Sequence, residues 1–216
     1  MGDCCDPGGY DETFDERFAR RIARRYRRRG LTKVERRLVG FLVEQGIEGA
    51  TVLEIGGGLG EVHVELLRAG AARVTNLEIS PNYEAEARRL LEASGFSDRV
   101  ERRMLDIATA PADVEPADVV VLHRVVCCYA DYQALLAAAG RHSRRLLVFS
   151  HPPRTALIRA LFGCDNVVRR VRRNDFRAFL HPPEQMLRVL EGEGLAVQAR
   201  HHSWDWDVVG LARTPA

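Results

Sequence analysis

The sequence predicts an α/β protein in which helices cover both faces of a mostly parallel sheet. Short apolar runs such as Ala117–Leu122 alternate with segments of helical periodicity, which is the pattern of repeated strand–helix units. The chain has 216 residues, enough for one such domain with modest additions. Seven strands are expected, and the last two, near residues 196–202 and 208–213, make the sheet mixed.

A glycine-rich turn is the most informative segment. Residues 51–60 read Thr-Val-Leu-Glu-Ile-Gly-Gly-Gly-Leu-Gly, which predicts a buried strand, a tight turn and the start of a helix. A dinucleotide fingerprint needs glycine at relative positions one, three and six, but position six is Glu61 or His63, depending on the start. Glu54 and Glu61 would repel a pyrophosphate there and favour a ligand that carries an ammonium and a sulfonium.

Acids also follow the next two predicted strands. Glu78 ends the second strand about twenty residues after Gly58, the spacing at which an acid binds the ribose hydroxyls of an adenosine ligand. Asp106 follows the third strand, Val100–Met104. Capping of a turn is the alternative interpretation of Asp106.

Glu54, Gly56, Gly58 and Gly60 together resemble the first motif of class I S-adenosylmethionine (SAM) dependent methyltransferases, which have a Rossmann-like fold. The resemblance implies SAM as cofactor, S-adenosylhomocysteine (SAH) as product and an N-terminal helical lid. By the resemblance, Glu78 holds the ribose, Asp106 accepts the adenine amino group, and Ile79 and Ile107 flank the ring. The cofactor-binding residues predicted in this way are Glu54, Gly56, Gly57, Gly58, Gly60, Glu78, Ile79, Asp106, Ile107 and His123.

A looser resemblance links most of the chain to magnesium-protoporphyrin O-methyltransferases. It rests on short matches, chiefly residues 177–181 and 184–195. The glycine motif departs from that group at Gly57, where the group normally has cysteine. Only the fold and the cofactor are therefore carried over, and a porphyrin acceptor stays open.

The predicted organisation is a helical lid over residues 1–46 and a SAM-binding domain over 47–216, with a substrate-pocket insertion near 151–179. Apolar residues at every fourth position from Phe14 to Tyr26 predict an amphipathic lid helix. Residues 17–37 hold eleven Arg and Lys against one acid, Glu35. A solvated face is the first interpretation of these arginines, and binding of an anionic substrate or of RNA are the alternatives.

Histidines at the ends of the central strands are the candidates for a catalytic base, because the intrinsic pKa of histidine suits proton transfer. His151, after the fifth strand, is the first candidate and His123 the second; a structural histidine is the alternative for each. Tyr10, Tyr129 and Arg169 are candidate substrate contacts. The leading hypothesis is methyl transfer to a small molecule at an oxygen, either a carboxylate or a hydroxyl. RNA methylation and a non-catalytic SAM-binding interaction module are the alternatives.

The cysteines predict neither a disulfide framework nor a metal site. Four of the five cysteines form two adjacent pairs, Cys4 with Cys5 and Cys127 with Cys128, and adjacency is not a zinc-ligand spacing. This pattern fits a reducing cytoplasm. Charged residues interrupt the most apolar stretch, so a membrane span is not expected. The sequence leaves the oligomeric state open.

Overall fold

A computed structural model describes residues 9–214, and its centre is a seven-stranded sheet of order β3-β2-β1-β4-β5-β7-β6. Strands β1 to β5 are mutually parallel, and β7 runs antiparallel between β5 and β6. The predicted mixed, mostly parallel sheet is confirmed. The strands are β1 Thr51–Ile55, β2 Arg73–Glu78, β3 Val100–Met104, β4 Ala117–Leu122, β5 Ser143–His151, β6 Leu195–His201 and β7 Asp207–Arg213.

Helices lie on both faces of the sheet. Within residues 9–214 they are α1 Tyr10–Thr13, α2 Glu16–Arg29, α3 Lys33–Glu44, α4 Glu61–Arg68, α5 Glu84–Ser94, α6 Tyr132–His142, α7 Ala156–Val171 and α8 Pro183–Gly192. None of the helices described is long and apolar enough to cross a membrane.

Cys4 and Cys5 lie outside the described residues, and the residues described hold no group of three or more potential metal ligands.

Two hydrophobic clusters sandwich the central strands. In β4, Val120 and Leu122 join the cluster under α6 and α8, whereas Val119 and Val121 join the cluster under α3 and α4. All four side chains have no exposed area. A strand buried on both faces explains why this run is continuously apolar rather than alternating.

The strand order reverses between β1 and β4, which places two loops in one crevice. β1 pairs with β2 on one side and with β4 on the other. At such a switch point the loops after the two strands diverge and leave room for a ligand beyond their carboxyl ends. The glycine turn after β1 and His123 after β4 therefore meet at the same site.

The lid helices begin at well-formed caps. Asp15 accepts a hydrogen bond from the Phe18 N–H at the start of α2. Thr32 and Glu35 form a capping box at the start of α3. α2 buries Ala19, Ala23 and Tyr26, and α3 contributes fully buried leucines to the core against the sheet.

Candidate functional site

The glycine turn adopts a left-handed backbone conformation that residues with a side chain rarely adopt. Gly56, Gly58 and Gly60 have φ of +63°, +54° and +96°. Glycine occupies this left-handed region without a steric penalty, whereas other residues rarely do. At Gly56 a Cβ would also lie 2.5 Å from Val125 Cγ2. The turn is thus fixed by sequence in a shape that leaves its backbone open to a ligand.

A buried polar floor lies directly beneath Gly57. A Cβ on Gly57 would overlap Asn76 Nδ2 and lie 2.6 Å from Glu54 Oε2. Asn76 and Glu54 are almost completely buried, and Glu54 Oε2 lies 2.5 Å from His63 Nδ1, which is also buried. Position 57 therefore has no room for the cysteine usual in the porphyrin enzymes. Asn76 of β2 occupies the space that a side chain at position 57 would need, which agrees with glycine rather than cysteine at that position.

Glu78, at the end of β2, is held by backbone N–H groups. Its Oε2 accepts from Gly58 N at 2.8 Å, and its Oε1 accepts from Ile79 N at 2.8 Å and Ser80 N at 3.0 Å. Burial raises the pKa of Glu78, although these three N–H groups and Arg102 oppose the shift. Three of roughly four acceptor positions of the carboxylate are used, which fixes its orientation.

Asp106, after β3, is oriented in a comparable way. Its Oδ1 accepts from Ala108 N at 2.9 Å, and its Oδ2 accepts from the hydroxyl of Tyr129 at 2.7 Å. Asp106 therefore caps a turn, as the alternative interpretation expects, and it also lines the site. Ile107 beside it is 1% exposed.

These side chains line one cavity of about 350 Å³. Aromatic and aliphatic residues of the lid cover it, chiefly Phe14, Phe18 and Ile22. The predicted site residues that line it are Glu54, Gly56, Gly57, Gly58, Glu78, Ile79, Asp106, Ile107, His123, Tyr10 and Tyr129. The structure therefore brings most of the predicted residues together around a single space.

Three predicted residues lie elsewhere. Gly60 precedes α4 and packs over His63. His151 is buried, with Nδ1 3.1 Å from the Pro152 carbonyl oxygen, and burial lowers its pKa. Arg169 donates to Thr13 Oγ1 at 2.8 Å and stacks over Phe176 at 4.8 Å. None of the three is among the described residues that line the cavity.

A charged cluster that the sequence did not reveal closes one end of the cavity. Nη2 of Arg25 lies 3.1 Å from Glu35 Oε1 and 3.1 Å from Glu61 Oε1. Burial would raise the pKa of Glu35, but His123, the Thr32 N–H and Arg25 together hold it at about 2. Burial and the charges of Glu35 and Glu54 raise the pKa of Glu61 to about 7.

This cluster joins four separate elements, so no local pattern could predict it. Its one sequence signal is that Glu35 is the single acid in a strongly basic segment. A carboxylate retained among eleven cations indicates a specific partner, and the structure supplies two: the cap of α3 and Arg25.

His123 presents an unpaired ring nitrogen to the cavity. Its Nδ1 lies 3.0 Å from Ser150 Oγ, whereas Nε2 is buried, 3.6 Å from Glu35 Oε1, and has no hydrogen-bond partner among the described residues. Burial lowers the pKa of His123, so the neutral ring is favoured near pH 7. The next residue, Arg124, has φ of +59°, a strained conformation of the kind found at functional sites.

Comparison with known proteins gives independent information on the central segment. Residues 52–146 match the family model described as a methyltransferase domain. Ribosomal protein L11 methyltransferase of Aeromonas hydrophila is 34% identical over 95 residues, which is 44% of this chain and 32% of that protein. The chain thus spans about a third of the length of this curated relative.

Solved structures extend the likeness to almost the whole chain. Magnesium protoporphyrin IX methyltransferase from Synechocystis PCC 6803 with bound SAH superposes with a TM-score of 0.73 at 19% identity, covering 94% of this chain and 97% of that one. An O-methyltransferase family protein from Burkholderia thailandensis gives 0.71 at 19% identity, covering 95% and 61%. At this identity the likeness establishes the fold.

Residues 52–146 match a methyltransferase domain, and the sheet order and the glycine turn agree with the fold of the methyltransferase structures. The cofactor of such domains is SAM. The site fits that cofactor. Glu54, Glu61 and Glu78 line the same cavity, and a ligand with two cationic groups would offset their buried charge. Gly56, Gly57 and Gly58 also line this cavity, so the backbone of the turn faces the ligand.

Proposed function

We propose that the chain transfers a methyl group from SAM to an oxygen of a small-molecule acceptor. One observation carries the proposal: acids at the ends of three neighbouring strands, Glu54, Glu78 and Asp106, face one cavity beside the glycine turn. The acids at the glycine turn would repel the pyrophosphate of a dinucleotide, so this arrangement disfavours a dinucleotide ligand.

Each acid has a distinct role in the proposal. Glu78, oriented by three backbone N–H groups, accepts the ribose hydroxyls. Asp106, held by Tyr129, accepts the adenine amino group, and Ile107 packs on the ring. Glu54 and Glu61 lie at the opposite end, where they stabilise the ammonium of the methionine portion.

When bound, SAM supplies a methyl group on a sulfonium that is already a good leaving group. The protein must then mainly align the acceptor, and alignment can lower a barrier by on the order of 7–11 kcal/mol. A carboxylate acceptor needs no base. For a hydroxyl acceptor, the unpaired Nε2 of His123 is the group on the cavity wall that can receive the proton.

The cavity has room for one ligand, and residues of the lid cover it. A volume of about 350 Å³ lies near the lower end of ordinary ligand pockets, which run to roughly 1,000 Å³, so it suits one ligand of cofactor size. An acceptor needs additional room, and movement of α1 and α2 would provide it. The aromatic roof formed by Tyr10, Phe14 and Phe18 favours an acceptor with an apolar body.

The arginines of α2 give less support to an RNA substrate. Arg20 pairs with Glu16, Arg25 with Glu35 and Glu61, and Arg27 lies 3.7 Å from Glu86. Three of the eight arginines of α2 therefore have an acidic partner, and the other five are exposed, as the solvated-face interpretation expects.

Transfer of labelled methyl groups tests the proposal. The protein is incubated with methyl-labelled SAM and either a pool of cell metabolites or total RNA, with Glu78→Gln as the matched control. We expect label in the metabolite fraction and at least a tenfold loss in the variant. Label in RNA alone would overturn the small-molecule acceptor. Tight SAM binding with no transfer to either pool would favour a non-catalytic module.

A further inference from the structure

Helix α7 exposes most of its apolar side chains. Ile158 is its one buried residue, and polar contacts such as Asn166 Nδ2 to the Ala178 carbonyl oxygen at 2.8 Å attach the helix to the rest of the protein. The exposed fractions of its other large aliphatic residues are 61% for Leu157, 51% for Leu161, 61% for Val167, 46% for Val168 and 78% for Val171. Ala160 and Cys164 are exposed as well.

These exposed residues form one continuous stripe. At roughly 100° per residue, positions 157, 160, 161, 164, 167, 168 and 171 fall within an arc of about 120° that is centred on Cys164. The side that faces the protein, with Ile158, Phe162 and Asn166, occupies a different arc. Single exposed apolar residues are normal, but a contiguous stripe marks a surface that another body covers.

Arginines border the stripe. Residues 154–173 contain six arginines and one acid, Asp165. Arg170 lies about 60° from one edge of the stripe and Arg172 about 20° from the other, and both are exposed. A helix with an apolar face between cationic borders is the arrangement of helices that lie in a membrane interface.

We propose that α7 is a docking surface for an anionic lipid membrane. The aliphatic stripe enters the boundary between headgroups and acyl chains, and the arginines contact lipid phosphates. Pairing of α7 with α7 of a second copy would bring two arginine-bordered stripes together, and the like charges would oppose it. An anionic membrane offers acyl chains to the aliphatic stripe and negatively charged headgroups to the arginines. This inference does not depend on which acceptor is methylated.

Co-sedimentation with vesicles tests the proposal. We expect binding to phosphatidylcholine vesicles that contain roughly one-third phosphatidylglycerol, weakening with added salt, and little binding to phosphatidylcholine alone. Leu161→Glu with Val168→Glu should lower the bound fraction by at least about tenfold. Met104→Glu, at an equally exposed apolar residue of β3, is the control and should bind like the wild type.

The arginines are tested separately. Arg170→Ala and Arg172→Ala should each weaken binding to the anionic vesicles by about fivefold. Arg88→Ala, which removes an exposed arginine from α5, is the matched control and should have little effect. Circular dichroism verifies that each variant is folded.

A label on Cys164 reports directly on the environment of the centre of the stripe. In a chain whose other four cysteines are replaced by alanine, a polarity-sensitive dye on Cys164 should shift to the blue with anionic vesicles. Absence of binding to those vesicles would overturn the proposal, as would full binding by the Leu161→Glu, Val168→Glu variant. A concentration-dependent dimer in analytical ultracentrifugation that this variant dissolves would assign the stripe to a second copy instead.

Discussion

The crevice beside the glycine turn and the outer face of α7 depart from the ordinary burial pattern in opposite directions. The crevice buries carboxylates, including Glu54, Glu61 and Glu78, each less than 9% exposed. α7 leaves leucine and valine in solvent. Both arrangements cost free energy in the isolated chain, one through desolvated charge and the other through hydrated hydrocarbon. The comparison indicates that each region is built for something that the chain alone does not contain.

The two regions also differ in how rigidly they are held. Backbone N–H groups, caps and fixed turns determine the positions of Glu78, Asp106 and Glu35. α7 is attached by few buried contacts. A rigid site is expected where atoms must align, and an exposed helix suffices where the partner is an extended surface.

The largest effect should follow from filling the space above the polar floor. Gly57→Ala would press a methyl group into Asn76 and Glu54, so we expect the free energy of unfolding to fall by about 1–3 kcal/mol. Because displacement of the turn by roughly 1 Å can cost on the order of 100-fold in activity, transfer should nearly vanish. Thermal unfolding and methyl-transfer rates measure the two effects.

Gly40→Ala is the control for that prediction. Gly40 lies in α3 with nothing within 4 Å of a Cβ, so alanine should stabilise the chain by about 0.5–1 kcal/mol. If Gly57→Ala bound SAM with wild-type affinity, the side chains of Asn76 and Glu54 would have moved to accept the methyl group. The crevice would then be no more rigid than α7.

The next effect concerns the charge buried at Glu61. Its pKa of about 7 means that the carboxyl is largely neutral below pH 7 and ionised above it. A cationic ligand favours the ionised form, so SAM affinity should rise by up to about tenfold between about pH 6 and about pH 8. Without ligand, the raised pKa makes the free energy of unfolding fall as the pH rises towards 7.

Calorimetry at several pH values measures this dependence, and Glu61→Gln is the variant that should flatten it. The stability profile of the ligand-free variant should flatten over the same range. An affinity that falls as the pH rises, in both proteins equally, would place the cation of the cofactor away from Glu61.

A smaller effect is expected from removing one of the two hydrogen bonds that orient Asp106. Tyr129→Phe removes the 2.7 Å bond to Asp106 and should weaken SAM binding by roughly fivefold to tenfold. Tyr132→Phe is the matched control, since its hydroxyl bonds Gln185 on α8, a residue that does not line the cavity. Equal losses of affinity in the two variants would argue against a role of Asp106 at the adenine.

Much of the fold was predictable because each unit is encoded locally. The predicted limits of β3 and β4 are the observed ones, and the glycine turn predicted the strand before it and the helix after it. β5 begins at Ser143, three residues before its apolar run of residues 146–149. Its first residues pair with β4 beside a register shift, and no sequence periodicity reports such a shift.

The site was predictable only in part. Residues at strand ends, such as Glu78 and Asp106, occur at characteristic distances from the glycine turn, so spacing located them. Arg25 and Asn76 matter through contacts across the fold, with partners that no spacing rule connects. The roles of His123 and His151 stay predictions; the structure places the first on the cavity wall and the second away from it.

The central claim is that the acids at the strand ends bind the cofactor. Titration calorimetry with SAH tests this claim most directly. We predict that the wild type binds and that Glu78→Gln, which keeps the size of the side chain but loses its charge, binds about 10–100-fold more weakly. Glu101→Gln, at an exposed acid of neighbouring β3, should bind like the wild type. No uptake of SAH by the wild type, or equal affinity in Glu78→Gln, would contradict the account.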